Sequence, residues 1–312
     1  ATLVKMLVDP IMMLLNVLST AGIVFVNKRI FQTLPFVMLL TLCHQAVSGV
    51  ILTTLNGSRQ IKKSVPWRAT WWWSFLCVSG IYTQNLSLRM NTVTLYQIAK
   101  LMIIPAQCLY QYFALSKVYT IWVYGSLAVL TVGVGLSTVA ELNVRVTFVG
   151  VFVAAAGVVF VVLEQGEASR LLEKHEMGVQ DFLLASALPR VLLTGVAVLA
   201  VEWDSLAFVL SIPWQHLFYV FLSCLLATSI HITSGHVIYT FGPLTQAVLG
   251  HVKTLSILMG GLCLQSAPMD FSLAKNILTG FFIALTGAIK YGQYTKFPEV
   301  DCFSRCRREK RA

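Results

Sequence analysis

Charged residues are scarce in this sequence. Asp, Glu, Lys and Arg make up 12% of its 312 residues, and only 13 of them are acidic. About a quarter of an average soluble domain is charged, whereas here 57% of the residues are apolar and the mean hydropathy is +0.76. A soluble globular protein is therefore excluded. Apolar stretches such as 146–163 lack the alternation of membrane β-barrel strands, so membrane-spanning helices are predicted.

The sequence also lacks any pattern of cysteines typical of disulfides or metal sites. Five of the seven cysteines stand singly in apolar stretches and are predicted to be small core residues: Cys43, Cys77, Cys108, Cys224 and Cys263. The spacing of the six histidines indicates no ligand set, so neither a metal nor a cofactor is predicted. Cys302 and Cys306 lie among basic residues after the last apolar stretch. Palmitoylation of these two cysteines is left as an alternative.

What the sequence does contain is enough apolar chain for ten membrane-spanning helices of about 20 residues each. These form a single membrane domain over 1–312, because the connections between them are too short to hold another domain. The predicted spans are 6–26, 35–55, 70–89, 92–115, 120–140, 146–164, 181–201, 214–240, 244–264 and 271–291. An even number of spans places both termini on the same side of the membrane.

The distribution of basic residues predicts which side that is. Fourteen of the 23 Lys and Arg fall on the side of the termini, including the tail 296–312, and five fall on the other side. By the positive-inside rule both termini and the basic tail are cytosolic. Topology therefore accounts for the net charge of +10, and no nucleic-acid partner is predicted.

Four basic residues fall inside predicted spans, namely Lys100, Arg190, Lys253 and Lys290, and no acidic residue lies as deep. A Lys or Arg at a helix centre costs about 2.5–3.5 kcal/mol, so the missing countercharge is expected to be an anionic substrate. Lys100 and Lys253 are too deep to reach the interface. Arg190 has the alternative of a structural polar contact, and Lys290 that of snorkelling to the cytosolic interface.

Other polar residues lie close to these lysines in the predicted helices. Tyr96 precedes Lys100 by four residues, and Thr254 adjoins Lys253. His231 interrupts the eighth span. These three side chains are predicted to hydrogen-bond a sugar or a base, with interhelical hydrogen bonding as the alternative.

The two deep lysines also indicate an internal repeat. Lys100 belongs to the fourth predicted span and Lys253 to the ninth, and the 153 residues between them are close to half the chain. This spacing predicts two inverted five-helix repeats, about 1–140 and 146–295, of the kind that many carriers rock around a central site. An enzyme is not predicted, because the spans offer no pair of carboxylates for acid–base catalysis. A passive anion channel stays open as an alternative.

Three stretches carry a resemblance to a known family. They are Asn27-Lys28, Tyr96-Gln-Ile-Ala-Lys100 and Gly242-Pro-Leu-Thr-Gln-Ala-Val-Leu-Gly-His-Val-Lys-Thr254. Together they resemble the triose-phosphate translocator and nucleotide-sugar transporter family of the drug/metabolite transporter superfamily, over nearly the whole chain. The Lys253-Thr254 pair is similar to that of the UDP-sugar carriers of the Golgi.

The resemblance implies an antiporter that brings a UDP-sugar into the Golgi lumen in exchange for UMP. Lys100 and Lys253 would bind phosphates, Thr254 would line the same site, Tyr96 and His231 would contact base or sugar, and Lys290 would assist at the cytosolic mouth. The alternative function is an antiporter of the triose-phosphate type or a GDP-sugar carrier. The alternative location is another endomembrane or the plastid inner envelope. The expected partners are the nucleotide sugar, the nucleoside monophosphate and membrane lipid. The sequence leaves open whether the chain also forms a homodimer.

Overall fold

The computed structural model describes residues 2–31, 36–57, 66–91, 93–138, 147–204, 214–264 and 271–296. Within these ranges the regular secondary structure consists of eleven α-helices. They are α1 Thr2–Phe31, α2 Val37–Asn56, α3 Trp67–Met90, α4 Val93–Leu101, α5 Ile103–Ala114, α6 Ile121–Thr138, α7 Phe148–His175, α8 Val179–Val201, α9 Trp214–Phe241, α10 Pro243–Leu264 and α11 Phe271–Lys296. Apart from Lys296, the predicted basic tail, with Cys302 and Cys306, lies outside the described residues.

Five of the described segments are long and apolar enough to cross a membrane by length and composition. They are Leu7–Phe31, Val37–Leu55, Phe148–His175, Val179–Val201 and His216–Phe241. Many large apolar side chains on these helices face outward, as expected where lipid replaces water. The prediction of an all-α membrane protein is confirmed.

The fourth predicted span is interrupted, so the expectation of one helix over 92–115 is wrong. The chain leaves the α-helix at Met102, where α4 ends and α5 begins, and the N–H of Met102 donates to the carbonyl of Ala99 at 3.1 Å. Pro105 accounts for the break. A proline has no N–H to donate to the carbonyl four residues before it, here that of Leu101, and its ring clashes with that carbonyl.

The sixth predicted span continues beyond its expected end at 164, because α7 runs to His175. Glu167 and Arg170 lie one turn apart on α7 and form an ion pair, with Oε1 and Nη1 3.2 Å apart, so the helix accommodates both charges. The face opposite Arg170 stays apolar and buried, at Ala168 and Leu172. Glu164 therefore lies within a helix, not at the end of one.

The helices form two compact units. The first comprises Ala1–Asn85 and Leu163–Gln246, and the second Leu86–Val162 and Ala247–Ala312. Each unit combines one stretch from the first half of the sequence with one from the second. The predicted repeats, 1–140 and 146–295, divide the chain by sequence order instead, and they stay a prediction.

Side-chain hydrogen bonds join α1 to α9 in the first unit. Asn16 donates to the hydroxyls of Thr233 at 2.6 Å and Ser234 at 3.0 Å. One turn further along α1, the hydroxyls of Ser19 and Ser229 lie 2.8 Å apart. Such bonds hold helices together where lipid removes the hydrophobic driving force for their association.

Backbone contact joins α6 to α11 in the second unit. A Cβ atom on Gly133 would lie 2.3 Å from the backbone nitrogen of Ala284, and one on Gly287 would lie 2.5 Å from that of Leu130. No side chain fits at either position. Small residues here allow the two helix backbones to approach closely.

Candidate functional site

Lys100 lies in the last turn of α4, directly before the break at Met102. Its side chain is half-buried, and its Nζ lies 4.5 Å from the centre of the Tyr96 ring one turn earlier. An ammonium group at this distance from an aromatic face forms a cation–π interaction. The C-terminal end of a helix also favours a cation. Local structure thus holds this ammonium group without neutralising it.

Lys253 lies on α10 and is only 8% exposed. Among the residues that the structure describes, no carboxylate lies within 4.0 Å of the ammonium group of Lys253 or of Lys100. Both deep lysines belong to the second unit, and neither has an anionic partner in the described part of the chain.

His251 is a further polar residue of this region that the sequence analysis did not single out. It is 5% exposed, and its Nδ1 lies 3.1 Å from the carbonyl oxygen of Ala247. Its Nε2 is buried and has no hydrogen-bond partner among the described residues. The charge of Lys100 also acts on this ring. The signal for His251 was its place in the stretch Gly-His-Val-Lys-Thr, two residues before Lys253.

Thr254 and Lys290 belong to the same unit but have different surroundings. The hydroxyl of Thr254 donates to the carbonyl of Gly250 at 3.2 Å, within its own helix, so its oxygen lone pairs are left to accept a hydrogen bond. Lys290 lies six residues before the end of α11 with an exposed side chain. That exposure agrees with the snorkelling alternative.

His231 belongs to the first unit, near the middle of α9. Its electrostatic neighbours there are Arg190 and His44, and its Nδ1 is buried without a hydrogen-bond partner among the described residues. The predicted contact of His231 with base or sugar stays a prediction.

Arg190 is the fourth basic residue within a predicted span, and it is 1% exposed. Its Nη1 donates to Oε1 of Gln45 at 2.7 Å, and its guanidinium carbon lies 5.7 Å from the centre of the Trp73 ring. The carboxylate of Glu164 adds a favourable electrostatic interaction. This environment favours the structural alternative for Arg190, because protein groups of the same unit already satisfy its charge.

Potential metal ligands are dispersed over the described ranges. No group of three or more His, Cys, Asp or Glu is placed to hold a metal ion there. The chemistry that the second unit offers is therefore electrostatic: two cations, a buried acceptor and an aromatic face suit a phosphorylated ligand.

Comparison with known proteins identifies the family. No family model matches the chain. The UDP-rhamnose/UDP-galactose transporter 1 of Arabidopsis thaliana is 30% identical over 285 residues, which cover 89% of this chain and 80% of that protein. The chain belongs to the nucleotide-sugar transporter family of the drug/metabolite transporter superfamily.

Other members of the nucleotide-sugar transporter family match over a similar length. The UDP-xylose transporter 3 of Arabidopsis thaliana is 29% identical over 286 residues, covering 90% of this chain and 78% of that protein. A protein of known crystal structure shares the fold with a TM-score of 0.67 at 12% identity, over 90% of this chain and 95% of that one.

Proposed function

We propose that this protein is a UDP-sugar transporter that exchanges its substrate for UMP, and that it has no enzymatic activity. The observation that carries the proposal is the pair Lys100 and Lys253, two cations in one unit without a described carboxylate beside either. The names of the Arabidopsis relatives, which are UDP-rhamnose/UDP-galactose and UDP-xylose transporters, support the choice of a uridine nucleotide.

In this proposal the phosphates of the substrate supply the missing countercharge. Lys253 and Lys100 bind the phosphate oxygens through charge-assisted hydrogen bonds, and the Thr254 oxygen lies one residue from Lys253 as an acceptor. Tyr96 contacts the base or the sugar. Lys290, being exposed, attracts the substrate at the cytosolic mouth.

Exchange follows from the same charges. Removing an unpaired ammonium group from water costs several kcal/mol, about as much as any single interaction in a protein can recover. A carrier that closes without substrate desolvates its lysines without compensation, whereas a bound phosphate offsets that cost. The empty protein therefore returns slowly, and transport proceeds as antiport by alternating access.

The architecture that we propose has ten spans. The eleven described helices support this count when α4 and α5, separated by Met102 alone, are taken as one interrupted span. Ten spans divide into two inverted repeats of five and place both termini on one side, and the distribution of Lys and Arg favours the cytosol. The Golgi membrane is the proposed location, with another endomembrane or the plastid inner envelope as the alternative.

Uptake of labelled UMP into liposomes that contain the purified protein tests the function. The liposomes are preloaded in turn with buffer, UMP, UDP-galactose, GMP, inorganic phosphate or triose phosphate. We expect uptake only when a uridine nucleotide is inside. Uptake driven by GMP would indicate a GDP-sugar carrier, exchange of phosphate for triose phosphate would indicate the phosphate-translocator type, and uptake into empty liposomes would indicate a channel.

Lysine variants test the site in the same assay. We expect Lys100→Ala and Lys253→Ala each to lower exchange about a hundredfold, because each removes a charge-assisted contact worth about 2–3 kcal/mol. Lys275→Ala is the matched control, since Lys275 is an exposed lysine of the same unit. If Lys253→Ala exchanged UMP as well as the control, the phosphate-binding role of Lys253 would be wrong.

A further inference from the structure

His251 contains a buried acceptor that has no hydrogen-bond donor among the described residues. The ring lies on α10, two residues before Lys253, and is 5% exposed. A histidine is close to neutral at pH 7 unless its surroundings change that, and a neutral ring has one donor and one acceptor nitrogen. Which nitrogen is the acceptor follows from the hydrogen bond that the other one makes.

The carbonyl of Ala247 determines the tautomer. A carbonyl oxygen only accepts, so the Nδ1 that lies 3.1 Å from it carries the hydrogen. The lone pair is therefore on Nε2. This atom is buried, and no donor among the described residues reaches it. A buried acceptor left without a donor destabilises the folded protein, so natural structures seldom retain one unless a ligand or water pairs with it.

The neighbouring cations do not provide that donor. The charge of Lys100 acts on His251, but its ammonium group lies against the Tyr96 ring and forms no hydrogen bond with Nε2. Lys253 is two residues along the helix, and side chains at that spacing do not face each other. The acceptor thus lies two residues from Lys253 on α10, in the unit that also contains Lys100, and it is complementary to a donor on a ligand that this unit binds.

We infer that His251 is a substrate-binding residue whose Nε2 accepts a hydrogen bond from a ribose hydroxyl of the uridine nucleotide. This inference rests on the proposed function. The phosphates of a nucleotide sugar carry no hydrogen at neutral pH, so the donors of the ligand are its hydroxyls and the uracil N–H. The ribose hydroxyls are the donors closest to the phosphates that UMP and a UDP-sugar have in common, and one contact therefore serves both directions of exchange.

Three substitutions separate this role from a structural one. The amide oxygen of Gln in His251→Gln takes the place of Nε2, whereas Asn in His251→Asn takes the place of Nδ1 and keeps only the contact with Ala247. Phe in His251→Phe keeps the ring shape and neither polar contact. We expect the Gln variant to have a half-saturating UMP concentration within about threefold of wild type, and the Asn and Phe variants one that is about tenfold higher.

Deoxynucleotides identify the group on the ligand. We expect the wild-type protein to exchange UMP with about tenfold preference over 2′,3′-dideoxy-UMP, because a site built to pair with a hydroxyl rejects the analogue that lacks it. The His251→Phe variant should lose this preference, since it has no acceptor to leave unpaired. The 2′-deoxy and 3′-deoxy analogues then show which hydroxyl binds.

Several outcomes would overturn the inference. Rescue by Asn and not by Gln would make His251 a structural residue. A His251→Phe variant that loses affinity equally for UMP and the dideoxy analogue would exclude the ribose contact, and an effect confined to the UDP-sugar would move the contact to the sugar. If the Phe variant fails to fold, the comparison of the Gln variant with the Asn variant still distinguishes a substrate-binding role of His251 from a structural one. Absence of any uridine-nucleotide exchange by the wild type would instead contradict the proposed function, and this inference with it.

Discussion

Arg190 in the first unit and Lys253 in the second are both buried cations, yet their surroundings differ. Arg190 donates to Gln45, lies over Trp73 and has Glu164 as an electrostatic partner. Lys253 has no described carboxylate within 4.0 Å of its ammonium group. Removing a buried cation that protein groups pair with leaves those groups uncompensated and destabilises the fold, whereas a buried cation without a partner itself destabilises the fold unless a ligand neutralises it. The contrast distinguishes a structural cation from a binding cation.

The largest effect is expected where a satisfied cation is removed. Arg190→Met leaves Oε1 of Gln45 without its donor and Glu164 without its countercharge, so the protein should lose about 3 kcal/mol of stability. Thermal unfolding of the detergent-purified protein measures this. Arg170→Met is the control, because Arg170 is an exposed arginine whose ion pair with Glu167 contributes little. Equal unfolding temperatures for both variants would mean that Arg190 has no structural role.

Close glycine contacts join α6 to α11 in the second unit, and a single methyl group tests them. Gly133→Ala would place its Cβ 2.3 Å from a backbone atom of α11, so we expect a loss of about 2 kcal/mol from overpacking. Gly125→Ala on the same helix has open space around its Cβ and should be neutral or slightly stabilising. Equal unfolding temperatures for these two variants would contradict the close approach of α6 and α11.

Removing the unsatisfied cation should have the opposite sign of effect on stability. Lys253→Met replaces a buried ammonium group without a described carboxylate beside it by an apolar side chain of similar length. We expect it to gain about 1 kcal/mol in stability while losing UMP exchange. Lys275→Met, at an exposed position, should change neither unfolding nor exchange. A destabilised Lys253→Met variant would mean that Lys253 has a structural partner, as Arg190 does.

The Tyr96 ring sharpens the contrast between the two lysines, because it supports Lys100 alone. Tyr96→Phe keeps the aromatic face and removes only the hydroxyl, so it separates the cation–π interaction from the proposed contact of the hydroxyl with base or sugar. Tyr96→Leu removes the cation–π interaction and should raise the half-saturating UMP concentration about fivefold. If Tyr96→Phe is as impaired as Tyr96→Leu, the hydroxyl contacts the substrate, as the sequence analysis predicted.

The smallest effect is expected at Lys290, whose side chain is exposed. Lys290→Ala should slow initial UMP uptake about twofold at low salt, because an exposed charge attracts an anion only at long range. The ratio of mutant to wild-type uptake should return to one at high salt. A loss that persists at high salt would indicate direct contact between Lys290 and the nucleotide.

Two differences from the predicted helices have local causes. The apolar residues of 92–115 are continuous, so the sequence predicts one span there. The helix is interrupted at Met102 because Pro105 has no N–H to donate to the carbonyl of Leu101. The prediction ended the sixth span at 164 because charges begin there. The helix continues because Ala168 and Leu172 pack on the face opposite Arg170, and only the packed structure shows that burial.

Sequence alone determined that this protein is helical and membrane-embedded, since 57% apolar residues in long runs leave no other way to satisfy the backbone in lipid. It also singled out the deep basic residues, because a charge in an apolar stretch is visible without a fold. Tertiary structure decided which of them have protein partners. Gln45 is 145 residues from Arg190 in sequence, and Lys100 lies 153 residues from Lys253. Hydrogen bonds and charge repulsion over such separations depend on helix packing, which residue spacing does not encode.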